Sequence, residues 1–61
     1  MKQLTEVPNV NDIVFYIPSH MIVSKSNAEQ GVVSSVDKRG IFVKYTTGDT
    51  AAKTNLQDLY K

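Results

Sequence analysis

The chain has 61 residues, seven basic and six acidic side chains for a net charge of +1, 41% apolar residues and no cysteine. Disulfide staples and a cysteine-based zinc site are therefore excluded, and so small a surplus of charge exerts little long-range pull on a polyanion. No apolar run approaches the roughly 20 residues of a membrane-spanning helix, and a chain this short closes around one small core in which every apolar side chain must be well placed.

Val, Ile and Thr supply 17 residues against six Leu and Ala, a composition suited to pleated sheet. Residues 1–10 read as an arm in which Pro8 and Asn9 resist regular structure, and residues 11–61 as the domain. The arm, MKQLTEVPNV, has neither the apolar core nor the small-residue cleavage site of a secretory leader, so a cytoplasmic location is the default expectation. Residues 12–17 (DIVFYI) are nearly all strand formers, and Pro18 ends the strand because it cannot donate to a ladder. Residues 19–28 (SHMIVSKSNA) form a long polar loop around the apolar island Met21, Ile22 and Val23, and a loop of that length is the first place to look for function.

A second strand spans 30–36 (QGVVSSV), with Gly31 marking a bend or a close approach of backbones. Asp37, Lys38, Arg39 and Gly40 make a tight turn in which Gly40 is free to take positive φ, and 41–45 (IFVKY) is the third strand. A second hairpin turn around Gly48 leads to a weaker strand at 50–54. Asn55 then caps one helical turn over 55–58, leaving room for a very short last strand at 59–61. No window places apolar residues at helical spacing over three turns. The expected fold is all-β: five short strands, two hairpins and one 3₁₀ turn before the last strand, the order of a small SH3-like barrel, whose closure hides sheet edges.

Period-two alternation assigns faces. Lys44 belongs in water, so Ile41, Val43 and Tyr45 face the core and Phe42 faces out; Gly31 and Val33 are inside, Val32 and Ser34 outside. On the first strand Val14 and Tyr16 are placed inside, by analogy with other barrel first strands, which puts Ile13, Phe15 and Ile17 on the outer face. Leu56 and Leu59 plug one end. The expected result is a contiguous apolar strip of Ile13, Phe15, Ile17 and Phe42 with Val32 and Ser34 between them. Either this strip is a contact surface, or the arm (Leu4, Val7, Val10) or the long loop folds over it.

Catalysis finds little support. There is one histidine, no nucleophile motif, and the acids Glu6, Asp12, Glu29, Asp37, Asp49 and Asp58 are scattered, Asp37, Asp49 and Asp58 with turn or cap explanations. His20 lacks the clustered partners a metal site needs and reads more simply as a loop imidazole bonded to backbone. No cofactor, metal or small-molecule substrate is expected. Nucleic acid is a second reading: Lys38 and Arg39 share a hairpin, Lys44 and Lys53 stand side by side on neighbouring strands, and Phe42 or Tyr60 can stack on a base. Four such cations on a solvated face are also ordinary.

The stretches DIVFYIPSH, GVVSSVDKRGIFVKY and DLYK carry a likeness. They resemble short phage- and prophage-encoded SH3-like barrel proteins whose role is uncharacterised, over residues 11–61; Tudor and KOW-type barrels share the architecture more distantly. The resemblance implies a barrel, and a host-cytoplasmic location for a phage-encoded chain. In that family the first loop carries further metal-type residues, of which only His20 is present here. A Tudor-like aromatic cage has only Tyr16, Tyr45 and Tyr60 to draw on. The leading expectation is a non-enzymatic module that binds a protein partner or itself through Ile13, Phe15, Ile17, His20 and Phe42. The alternative is a nucleic-acid surface of Lys38, Arg39, Lys44, Lys53 and Tyr60.

Overall fold

A computed structural model describes residues 1–61. The elements are β1 (Ile13–Tyr16), a 3₁₀ turn (Lys25–Asn27), β2 (Glu29–Asp37), β3 (Gly40–Tyr45), β4 (Ala51–Thr54), a second 3₁₀ turn (Leu56–Asp58) and β5 (Leu59–Tyr60). The strands form one antiparallel five-stranded sheet in the order β4-β3-β2-β1-β5, and the ladder stays open between β4 and β5. No helix is long and apolar enough to cross a membrane.

Local chemistry explains the turns. The β2–β3 hairpin closes with Asp37 opposite Gly40, whose φ of 139° is accessible to glycine and costly for any residue with a Cβ. The Asp37 carboxylate accepts the Arg39 backbone N–H at 2.8 Å and so fixes the turn from within. At the second 3₁₀ turn, Asp58 N–H donates to the Asn55 carbonyl at 3.0 Å. Asn55 occupies the cap position without a side-chain hydrogen bond, so the expected cap is supplied by backbone alone. The turn at Lys25–Asn27 was not expected from sequence; it breaks the long loop, and Asn27 Nδ2 pins it by donating to the Ile22 carbonyl at 2.9 Å.

The core is a row of branched side chains on one face of the sheet. Val14, Val33, Ile41, Val43 and Leu59 form one buried cluster, with Leu4, Tyr16, Tyr45 and Leu56 packed against it. Val14, Tyr16, Val33, Ile41, Val43 and Tyr45 were expected inside and Leu56 and Leu59 as end plugs, Val32 and Ser34 lie outside as expected, and Leu4 of the arm joins the core, where it was not expected. Between Val33 and Ser35 the β2–β3 register slips by a bulge, after which Ser35 pairs with Phe42 and Val36 with Ile41.

Ile17 departs from the expected exposed strip. It is only 1% exposed, not part of an outer strip. β1 is assigned up to Tyr16, and the Ile17 N–H carries the β1–β5 register one pair further by donating to the Asp58 carbonyl at 3.0 Å. Ile17 is buried without joining the cluster of Val14, Val33, Ile41, Val43 and Leu59, so it is covered and not presented to solvent.

The arm also takes a definite place. Lys2 and Lys61 exchange backbone hydrogen bonds at 2.9 and 2.8 Å, Leu4 N–H donates to the Leu59 carbonyl at 2.9 Å, and Gln3 bridges Tyr60. The arm therefore covers the outer edge of the two-residue β5, while its Val7 and Val10 remain exposed. β4 keeps its edge free, as a short strand bearing Lys53 can do without inviting aggregation.

Candidate functional site

Three surfaces bear on function: the outer face of β1 and β2, the outer face of β3 and β4, and a cleft at the open end of the inner face.

On the first, Ile13 and Val32 are register partners, 55% and 41% exposed. Phe15, opposite Tyr60, is half-buried and lies beside Met1, Lys25 and Lys61. The long loop exposes Met21, Ile22 and Val23, with Ile22 at 79%. His20 is exposed in the turn after Pro18, and that turn is closed by Met21 N–H donating to the Pro18 carbonyl at 2.9 Å rather than by the imidazole. The expected strip is thus shorter than alternation implied: Ile17 is buried, and Phe42 lies under another side chain.

That side chain is Arg39, on the second surface. Its guanidinium carbon sits 5.4 Å from the Phe42 ring centroid, a cation–π distance. The same guanidinium donates to Asp37 Oδ2 from Nη2 at 2.9 Å and from Nε at 3.3 Å. The Arg39 side-chain hydrogen bonds, then its backbone N–H, hold the Asp37 carboxyl below its ordinary value of 3.8, and Asp37 in turn raises Arg39. Arg39 is therefore occupied twice, and Phe42 has its exposed face covered. Lys44 and Lys53 share the outer face but are not side by side. The register sets Lys44 opposite Ala51 and Lys53 opposite Phe42, so the two amines stand diagonally. Lys38 is exposed at the hairpin tip, and Tyr60 lies across the sheet beside Phe15.

The third surface was not singled out from sequence. At the open end of the inner face a cleft of about 370 Å³ is lined by Tyr16, Glu29, Tyr45, Thr54 and Asp58, together with the chain at 52, 53 and 55. Strand register builds it. Tyr16 pairs with Glu29 on one side and Leu59 on the other, and Gly31 pairs with Tyr45, so the two rings meet with centroids 5.8 Å apart at an interplanar angle of 59°. Gly31 makes this possible, because a Cβ there would come within 2.8 Å of Tyr45 Cδ1. Tyr45 Oη and Thr54 Oγ1 are joined by a 2.7 Å hydrogen bond between β3 and β4. Burial pushes the Tyr45 phenol up; its Thr54 hydrogen bond opposes this, while Tyr16, Glu29 and Asp58 add to the rise.

The two carboxylates differ. Glu29 Oε2 accepts a hydrogen bond from Thr47 Oγ1. Asp58 Oδ1 is shielded from solvent and has no hydrogen-bond partner. A buried, unsatisfied acceptor is costly, of the order of 1–3 kcal/mol and more when charged. The sequence offered a partial signal, since Tyr16 and Tyr45 both belong to inner sets; Asp58 read only as a turn residue. Tyr60, the third aromatic considered for a cage, is on the opposite face. No three His, Cys, Asp or Glu side chains converge as a metal centre would require.

No family model, no curated protein and no solved structure matches this chain.

Proposed function

We propose that the chain is a non-enzymatic interaction module of the SH3-like barrel kind, related to the phage-encoded barrels it resembles, and that it binds a protein partner or a second copy of itself. The chain order supports the barrel: a long first loop, two tight hairpins, one 3₁₀ turn, and a last strand that pairs beside the first. The observation that carries the binding role is the adjacency of Ile13 and Val32, two branched apolar side chains held outward by strand register and about half exposed at 55% and 41%. The exposed Met21, Ile22 and Val23 of the long loop supply a second apolar contact. In a domain this small, leaving such side chains in water forgoes burial that its stability would otherwise use.

The nucleic-acid reading stands second. Lys38, Lys44 and Lys53 are exposed, but Arg39 is engaged by Asp37 and Phe42, which removes one cation and one stacking ring from that surface. Affinity capture from a bacterial lysate, with and without nuclease, separates the readings. A protein retained after nuclease treatment and lost from the double variant Ile13→Asp, Val32→Asp, provided that variant stays folded by circular dichroism, supports the proposal. Retention that nuclease abolishes and that falls with Lys44→Ala, Lys53→Ala overturns it.

A further inference from the structure

The arm lies on the far side of β5 from β1. Gln3 pairs antiparallel with Tyr60 and β1 pairs antiparallel with β5, so arm and β1 run parallel to one another with β5 between them. A chain that joins parallel strands must travel back along its own length, and such crossovers ordinarily take about a dozen residues or more. Only residues 5–12 are available here.

The shortage shows at the reversal. Asn11 has φ 78°, the one non-glycine residue in the left-handed region, where a Cβ is unfavourable. Asn9, Val10 and Asn11 are all exposed. Three contacts hold the reversal closed: Asn9 N–H donates to Asp12 Oδ2 at 2.9 Å, Asp12 N–H donates to the Asn9 carbonyl at 3.1 Å, and Lys61 Nζ lies 3.6 Å from Asp12 Oδ2. The arm itself is needed. Leu4 packs on the core cluster, Pro8 is buried, and backbone bonds from Lys2 and Leu4 cover the outer edge of β5, where Leu59 is fully buried. Nothing in those contacts requires that arm and β5 belong to the same molecule.

We propose that residues 1–8 exchange between two copies of this chain, each arm closing the β5 edge of the other, with Asn9–Asn11 as the hinge. The occupant of that edge is fixed by the structure, because the exchanged arm makes the same backbone bonds and buries the same Leu4 and Pro8 as it does at home. What changes is the hinge. In the exchanged dimer it runs on without reversing, so Asn11 returns to extended backbone; a short hinge under strain is the ordinary driving force for such swapping. Val10 and Ile13, 49% and 55% exposed on either side of Asn11, lie where the two hinges cross at the two-fold axis, and each copy covers those of the other.

This exchange deepens the self-binding half of the proposed function and rests on it, so its test must tell arm exchange from docking of two closed chains. The native chain has no cysteine, which leaves the variant Gln3→Cys, Tyr60→Cys with a single pair, placed on bridged positions of arm and β5. The protein is incubated at millimolar concentration, its dimer fraction is isolated by size exclusion, oxidised at high dilution and run on a denaturing gel without reductant. A covalent dimer is expected. Deleting the exposed Val10 tightens the reversal and is expected to give a folded dimer at every concentration in sedimentation equilibrium. Asn11→Gly relieves the reversal and is expected to raise the dimer dissociation constant about tenfold. A dimer fraction that runs as monomer on the gel would overturn the exchange while leaving self-binding in place. A chain that stays monomeric at millimolar concentration, a folded monomeric Val10 deletion, or an unchanged dissociation constant for Asn11→Gly would also overturn it.

Discussion

Replacing Gly31 with alanine tests how the core and the tyrosine cleft are built together. Gly31 is buried on β2, opposite Val14 on one side and Tyr45 on the other. Its backbone is not in the positive-φ region, so alanine meets no conformational penalty there. The obstacle is space. A Cβ at this position would lie 2.5 Å from Val43 Cγ1, 2.8 Å from Tyr45 Cδ1 and 3.1 Å from the Lys44 carbonyl oxygen. Val43 is fully buried and the carbonyl belongs to the ladder, so the Tyr45 ring is the neighbour with most freedom to move. Overpacking of this sort costs about 1–3 kcal/mol, offset by about 0.4–1 kcal/mol from the stiffer unfolded chain. Displacing Tyr45 also strains its 2.7 Å bond to Thr54, worth about 1 kcal/mol. A net loss of about 2 kcal/mol is expected, which for a domain of this size lowers the melting temperature by about 8–16 °C. Thermal and urea melts followed by circular dichroism measure it, with the Tyr45 ring shifts reporting the displacement. A variant that does not fold at 25 °C points the same way. A Gly31→Ala protein as stable as the parent would refute the close packing of β2 against Tyr45.

Two further outcomes follow from burial and from ionisation. Ile17→Ala is expected to cost about 2–4 kcal/mol in urea denaturation because the side chain is 1% exposed, whereas Ile13→Ala, from a side chain 55% exposed, is expected to cost under about 1 kcal/mol; equal costs would place Ile17 back on the surface. Burial disfavours the ionised Tyr45 phenol and raises its pKa on folding, so its contribution to stability is complete below 10.0 and is lost as the pH rises through the higher folded value; a urea-midpoint series across that alkaline range should show the decline, and Tyr45→Phe should reduce it.

Strand identity and inner face were legible in the chain because they rest on local chemistry. The runs DIVFYI, QGVVSSV and IFVKY are dense in β-branched and aromatic residues, and Asp37 to Gly40 and the stretch around Gly48 punctuate them. Alternation alone placed Val33, Ile41 and Val43 in the core, and all three are buried. Gly31 announced a close approach, and Gly40 a positive φ.

The tertiary structure decided whatever depends on which strand lies beside which, and in what register. Ile17 is 1% exposed where the chain holds it against the Asp58 carbonyl, 41 positions along, a contact that no local pattern announces. Lys53 sits opposite Phe42 rather than Lys44 because the β3–β4 ladder pairs it so, and Arg39 covers Phe42 because the hairpin folds back over its own strand. The arm's pairing with β5 and the cleft of Tyr16, Tyr45, Glu29 and Asp58 join residues from opposite ends of the chain. The physical reason is one of range. Side-chain shape and backbone preference act over a few residues and so can be read along the sequence, whereas register, edge cover and the stranding of a buried carboxylate oxygen arise only when distant segments are brought into contact.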